Sequence, residues 1–114
     1  KKNRAIIPDK FMNNFYEKYV LRGYFDCDGC IAVVNNNGIR YPRLEMKICQ
    51  SSMQQQFIEI IKRLGFRYGC YKIGNGNVRI QINGKEQLIK WYKEIGFSNA
   101  KNIKIYESFI GKYE

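Results

Sequence analysis

An acidic turn that follows an apolar helical pattern constrains the fold more than any other stretch of the chain. Aromatic and aliphatic side chains recur at helical spacing up to Tyr24, and Gly29 stands where such a helix would end. Asp26 and Asp28 therefore lie at a helix C-terminus, where the helix dipole disfavours negative charge. Acids at that position indicate another use for them, such as holding a cation. The β-branched residues 30–34 follow at once and predict a strand.

Composition and charge narrow the class of protein. The chain has 114 residues, enough for one domain, and its 45% hydrophobic content is typical of a folded protein. Twenty basic residues against ten acidic ones give a net charge of +10, which favours nucleic acid as a partner ahead of an acidic membrane. A basic surface that only aids solubility is the alternative. Since the sequence contains neither a membrane span nor a signal peptide, we expect an intracellular protein, cytoplasmic or organellar.

Four cysteines, Cys27, Cys30, Cys49 and Cys70, raise the question of a structural zinc site. Cys27 and Cys30 have the spacing C-x-x-C, but Cys49 and Cys70 stand singly and the chain contains no His. Free thiols are therefore the favoured interpretation, and a zinc-stabilised domain is the alternative.

The order of predicted elements indicates an α+β domain. After an N-terminal arm or linker, residues 1–8, Asp9 is the predicted N-cap of a helix that runs to about Asp26 or Cys27. The domain itself spans residues 9–114, with the order αββαββα, a four-stranded antiparallel sheet and helices on one face of it. The remaining predicted elements are strands 30–34 and 39–49, a helix from Ser51 or Ser52 to Leu64, strands 66–73 and 78–82, a helix 85–95, and a partly helical tail.

The face of the sheet turned away from the helices is predicted to be polar and basic. Basic side chains can pair with phosphates, and Arg, Lys, Gln and Glu can read base edges in the major groove. A solvated surface without a partner is the alternative interpretation. The residues assigned to DNA binding on this face are Asn36, Tyr41, Arg43, Glu45, Lys47, Tyr68, Lys72, Arg79 and Gln81, with Cys30, Ala32 and Val34 beside them.

Residues 21–29 resemble the LAGLIDADG signature of homing endonucleases. Arg22 replaces the alanine, Tyr24 the second leucine, and Cys27 stands where a small residue is usual. The αββαββα order, predicted independently of the motif, is also the architecture of that family. The resemblance thus extends from Asp9 to about Ile105. The matching positions are Leu21, Gly23, Phe25 (for an aliphatic residue), Asp26, Asp28 and Gly29.

The resemblance implies a sequence-specific endonuclease that cleaves double-stranded DNA with Mg²⁺. By this resemblance Asp28 is the metal ligand, while Asp26 matches an acid that more often has a structural role. Gln50 matches a polar residue that supports the metal-bound water. Lys101, or Lys104 in its place, matches a basic residue that polarises the water pocket.

The resemblance also implies a partner, because members with a single motif place two acidic turns side by side beneath the DNA. Gly23 and Cys27 are four residues apart, so they share a helix face and are small enough for a second helix to approach closely. The second helix would come from a homodimer or from the other half of a two-motif chain. A tight contact inside one domain is the alternative. A non-cleaving relative, such as an RNA-splicing maturase or a transcription regulator, is the rival function.

Overall fold

The fold is built on a four-stranded antiparallel sheet in which the strands, numbered along the chain, lie side by side in the order 1, 2, 4, 3. The computed structural model describes residues 6–13 and 15–110, with only the backbone of Asn36 and Ile110. The predicted order αββαββα is confirmed, and the tail adds a further helix. The elements are α1 (Glu17–Asp28), β1 (Gly29–Asn36), β2 (Ile39–Cys49), α2 (Ser52–Arg63), β3 (Gly69–Gly74), β4 (Asn77–Asn83), α3 (Lys85–Glu94) and α4 (Ala100–Ile110).

The start of α1 differs from the prediction. Asp9 begins a single 3₁₀ turn, Asp9–Phe11, and α1 starts only at Glu17. The Asn13 side-chain oxygen accepts hydrogen bonds from the Phe15 and Tyr16 amides, at 2.9 and 3.2 Å. The prediction that Asp9 caps the first helix was therefore wrong, because Asn13 satisfies amides ahead of the helix.

The segment before Asp9 packs on the domain. Ile7 is buried, and both of its backbone groups bond to the side-chain amide of Gln56: Ile7 N–H donates to Oε1 at 2.6 Å, and Nε2 donates to the Ile7 carbonyl at 2.9 Å. Residues 1–5 of the predicted arm or linker lie outside the described residues. The packed part of the chain thus includes Ile7, within the stretch assigned to the arm.

The core lies between the helices and one face of the sheet. Leu44, Met46 and Ile48 alternate along β2 and are all buried, as their period-two pattern predicts. On α2 the predicted stripe is likewise buried at Phe57 and at Ile60 and Ile61. None of the described helices is both long enough and apolar enough to cross a membrane.

Both ends of α2 form as predicted. Ser51 is the N-cap, and its hydroxyl accepts a hydrogen bond from the Gln54 amide at 3.2 Å. Gly65 follows the helix with a φ of +84°, a conformation that glycine adopts without steric cost. The helix is also joined to α1, because Arg63 donates to both carboxylate oxygens of the buried Glu17.

The second hairpin has a different register from the one predicted. Its first strand begins at Gly69 instead of Phe66, which is buried in the core. Gly74 pairs with Asn77, but Lys72 pairs with Val78, so Ile73 is an extra residue that forms a β-bulge. A shift by one residue exchanges the two faces of a strand, and the faces of β3 are therefore the reverse of those predicted.

Candidate nucleic-acid interface and acidic turn

Asp28 is the last residue of α1, and its side chain is exposed where β1 begins. Within the described part of the chain, the carboxylate accepts no hydrogen bond. Gly29 has an extended backbone, with a φ of −103°, so it does not end the helix in the left-handed conformation that terminal glycines often adopt. Glycine is needed for space, because a Cβ at this position would overlap the buried ring of Phe25. The chain can therefore turn directly from the acidic helix end into the sheet.

Asp26, the other acid of the turn, has its carboxylate committed to hydrogen bonds. Its two oxygens accept from the Ser98 amide at 3.0 Å and from the Asn99 amide at 3.4 Å, and the Asn99 side chain donates to the Asp26 carbonyl at 3.2 Å. Asn99 Oδ1 in turn accepts from the Lys101 amide at 2.8 Å, which caps the start of α4. The structural role expected of Asp26 is thus what its contacts provide: it joins the end of α1 to the beginning of α4.

Lys101 is joined to the acidic turn through its backbone amide, which bonds to Asn99. The Cys30 thiol lies two residues beyond Asp28, and burial followed by the charge of Glu45 raises its pKa. The ammonium groups of Lys101 and Lys47 act in the opposite direction on the same pKa. The charges of two lysines and one glutamate therefore act on the thiol at the first outward-facing position of β1.

Gln50 lies at the junction between β2 and α2, as predicted. Its side chain is exposed, and its backbone N–H donates to the Gly76 carbonyl in the β3–β4 turn at 2.8 Å. Together with Ser51 and Ser52 it lines a shallow pocket at the start of α2. Its place beside a helix N-terminus fits a functional amide, and equally a residue that only leads the chain into the helix.

The outward faces of β1 and β2 form the continuous surface that the sequence predicts. Cys30 pairs with Glu45, Ala32 with Arg43, and Val34 with Tyr41, so all of these side chains share one face. Asn36 pairs with Ile39 at the end of the ladder, and its side chain lies outside the described residues. Lys47 is exposed on the same face, opposite Arg79 of β4.

Arg43 is held in a network on this surface. Its Nε donates to Asn83 Oδ1 at 3.1 Å, and its Nη1 lies 3.2 Å from Glu45 Oε2. Burial lowers the Arg43 pKa, but hydrogen bonds to Glu45 and Tyr41 outweigh burial and raise the pKa overall. The guanidinium is therefore oriented before any ligand binds.

The β3–β4 part of the surface requires a correction. Arg79 and Gln81 lie on the predicted face, although Gln81 is only 6% exposed. Lys72 pairs with Val78 and shares the opposite face, because the bulge at Ile73 shifts the register. Tyr68 precedes β3 and packs against the core. Their assignment to the outward face was wrong.

Tyr71 takes the place on this surface that the sequence assigned to Lys72. It pairs with Arg79, and its ring lies over Gly69, where a Cβ would come within 2.6 Å of it. The signal that could have identified it is the glycine two residues earlier, because a tyrosine ring can lie flat on a strand only where the neighbouring side chain is absent. Asn83, which orients Arg43, was also missed, because its position at the end of β4 indicates only a turn.

Gly23 and Cys27 are both exposed on α1, on the face away from the core. A Cβ at Gly23 would have no heavy atom within 4 Å. The alternative of a tight contact inside the domain is therefore wrong for Gly23, and this face of α1 is open to a second helix.

The four cysteines form no disulfide in the described part of the chain. Across residues 6–13 and 15–110, no three Cys, Asp or Glu side chains come together closely enough to hold a metal ion. The zinc alternative therefore has no ligand cluster in this part of the chain. For the same reason, no single cluster in the described part of the chain could supply three carboxylate or thiolate ligands to a metal ion.

Comparisons with known proteins agree with this arrangement. A sequence profile described as a LAGLIDADG-like domain matches residues 15–96. The fold is similar to that of the LAGLIDADG meganuclease I-AabMI bound to uncleaved DNA, with a TM-score of 0.62, 14% identity and coverage of 80% of this chain and 35% of that one. It is also similar to the homing endonuclease I-CvuI in complex with a DNA target, with a TM-score of 0.60, 20% identity and coverage of 82% and 68%.

A third similar structure is the meganuclease I-SmaMI bound to uncleavable DNA, with a TM-score of 0.58, 15% identity and coverage of 83% of this chain and 38% of that one. The chain thus spans little more than a third of the length of I-AabMI and I-SmaMI. No curated protein matches the sequence.

Proposed function

Since the chain belongs to the LAGLIDADG family, we propose that it is a sequence-specific, Mg²⁺-dependent endonuclease that cleaves double-stranded DNA. The observation that carries this proposal is the position of Asp28, an exposed carboxylate at the edge of a polar sheet surface. A negative charge at the C-terminus of α1 is unfavourable for the helix, so an acid kept at this position is consistent with a role in metal binding. Asp26, in contrast, already uses its oxygens within the chain.

The residues at the acidic turn are suited to Mg²⁺. This ion prefers oxygen ligands and commonly binds one or two protein carboxylates together with substrate phosphates. Asp28 offers such a carboxylate, because its oxygens accept no hydrogen bond from the described residues. A bound Mg²⁺ would stabilise charge on the scissile phosphate and promote attack by water.

Gln50 and Lys101 are the proposed supporting residues. The Gln50 amide can donate or accept a hydrogen bond, which suits the orientation of a water molecule. The Lys101 ammonium, whose charge reaches Cys30 beside the turn, would stabilise negative charge on the phosphate. Binding of the duplex is assigned to the outward face of the sheet, where Arg43 is oriented in advance and Lys47 is exposed.

The experiment that tests this function is cleavage of a randomised duplex DNA library. We expect purified protein with Mg²⁺ to cut a restricted set of sequences, recovered by sequencing the new ends, and EDTA to abolish cutting. Products without sequence preference would contradict a homing endonuclease. Binding without cutting would instead favour the rival function, a non-cleaving nucleic-acid-binding protein.

The proposed partner is a second α1 helix, from another copy of this chain or from the other half of a two-motif protein. One described chain brings no cluster of three acidic or thiol ligands, so a second acidic turn would complete the site. The exposed glycine at position 23 would allow the two helices to approach closely.

Gly23→Leu tests this interface. The fold of one chain should tolerate the variant, because the new side chain has no neighbour within 4 Å of its Cβ and leucine has the higher helix propensity. The added side chain should separate the two helices and shift the protein from dimer to monomer in sedimentation experiments. Lys18→Leu, an exposed position on another face of α1, is the matched control and should stay dimeric. A Gly23→Leu protein that dimerises as tightly as wild type would exclude this interface.

A further inference from the structure

Tyr24 departs from the family signature, which has leucine at this position, and the departure adds a hydroxyl group next to the acidic turn. Tyr24 lies four residues before Asp28, so the two side chains share one helix face. Its ring packs against Phe57 of α2, with ring centroids 4.8 Å apart and a tilt of 45°. A leucine would make comparable apolar contacts but could not donate a hydrogen bond.

The hydroxyl of Tyr24 bonds to the end of β2. It donates to the Lys47 carbonyl at 2.9 Å. Strand β1 begins at Gly29, which pairs with Met46, so Lys47 lies beyond the last β2 residue that pairs with β1. The tyrosine therefore supplies a connection where the β1–β2 ladder has ended. Three residues further along the chain is Gln50.

We propose that Tyr24 is a positioning residue that fixes Asp28 relative to Gln50. The inference rests on the proposed function, because that function places the end of α1 and the end of β2 in one catalytic site. The Tyr24–Lys47 hydrogen bond ties the last turn of α1 to the end of β2, and the Phe57 contact limits movement of the ring. Small displacements of catalytic groups cost large factors in rate, so a bond between these two ends has a direct effect on catalysis.

The Tyr24 hydroxyl can donate its hydrogen bond to the Lys47 carbonyl throughout the pH range of DNA cleavage assays. Burial, the charge of Asp28 and the Cys49 thiol, in that order, raise the Tyr24 pKa to about 12. A raised pKa keeps the phenol protonated, so the hydroxyl remains a donor at neutral and mildly alkaline pH.

Tyr24→Phe tests the proposal, because it removes the hydroxyl and keeps the ring. On a target selected by the wild-type protein, we expect the single-turnover cleavage rate to fall by about 10- to 100-fold, as for other groups that orient metal ligands. The Mg²⁺ concentration for half-maximal rate should rise, while the affinity for DNA should stay unchanged. Tyr92→Phe is the matched control: it removes a hydroxyl from an exposed tyrosine on α3 that stacks on Tyr106.

A second measurement does not depend on cleavage. In the free protein, hydrogen–deuterium exchange should become faster in residues 26–30 and 47–51 of Tyr24→Phe, and should be unchanged in Tyr92→Phe. Faster exchange with an unchanged cleavage rate would make Tyr24 a purely structural contact and overturn the proposal. Unchanged exchange would overturn the proposal whether or not the wild-type protein cuts DNA. Absence of cleavage by the wild-type protein, in contrast, would contradict only the proposed function.

Discussion

Asp28→Asn is expected to lower DNA cleavage by about a thousand-fold or more, since the loss of a bound metal removes several kcal/mol of transition-state stabilisation. Asparagine keeps the shape of the side chain but not its charge, and Mg²⁺ prefers charged carboxylate ligands. Affinity for DNA should be retained or slightly increased, because the change makes the protein more positive. Cleavage rates and binding isotherms on the same target measure both effects.

The same variant should be slightly more stable than wild type. A carboxylate at the C-terminus of α1 is unfavourable by about 0.5 kcal/mol, and its removal should raise the melting temperature by about 2 °C. Asp9→Asn is the matched control, since Asp9 is an exposed acid in the 3₁₀ turn; it should cleave like wild type. Asp28→Asn protein that cleaves at the wild-type rate would remove Asp28 from the catalytic site.

Arg63→Ala is expected to have the largest effect on folding. Glu17 is only 3% exposed, and Arg63 contacts both of its carboxylate oxygens, with Nε 3.2 Å from Oε1. Without the guanidinium, the buried carboxylate has lost its counter-ion, which costs about 3 kcal/mol. This cost lies at the lower end of the range for buried ion pairs because the Arg63 side chain is 45% exposed. The melting temperature should fall by roughly 10 °C.

Glu94→Gln is the control for an ion pair that is not buried. Glu94 pairs with Lys90 at 2.9 Å, and both side chains are more than a third exposed, at 44% for Glu94 and 34% for Lys90. Its loss should change the free energy of unfolding by about 0.5 kcal/mol or less. The double variant Glu17→Leu with Arg63→Leu should recover much of the stability, because no charge is then buried alone. Equal losses for Arg63→Ala and Glu94→Gln would refute the account.

Local patterns in the sequence predict the elements of this fold well. The alternation of β2, the apolar stripe of α2 and the Ser51 cap each depend on residues close in the chain, and all are confirmed. The start of α1 was mispredicted because Asp9 is a residue type common at N-caps, whereas here it begins a 3₁₀ turn and α1 follows Tyr16 without a side-chain cap. The bulge at Ile73 was missed because the glycines around it permit several turns.

The candidate site was predictable only in part. The signature identifies the acidic turn, and the exposed position of Asp28 agrees with it. The bonds that organise the turn are not local: Asp26 bonds to residues 72 and 73 positions later in the chain, and the Tyr24 hydroxyl to a carbonyl 23 positions later. Such contacts leave no periodic pattern, so a sequence cannot reveal them without the fold.

The bulge at Ile73 decides which of two sets of β3 side chains faces outward. With Ile73 present, Gly69 and Tyr71 accompany Arg79 and Gln81 on the outward face. If Ile73 instead paired with Val78, without the bulge, the Gly74–Asn77 register would extend along the strand and bring Cys70 and Lys72 to that face. The position of this one residue, inside or outside the ladder, thus decides which set of side chains faces outward, so a change confined to the turn can alter ligand preference without a substitution in the core.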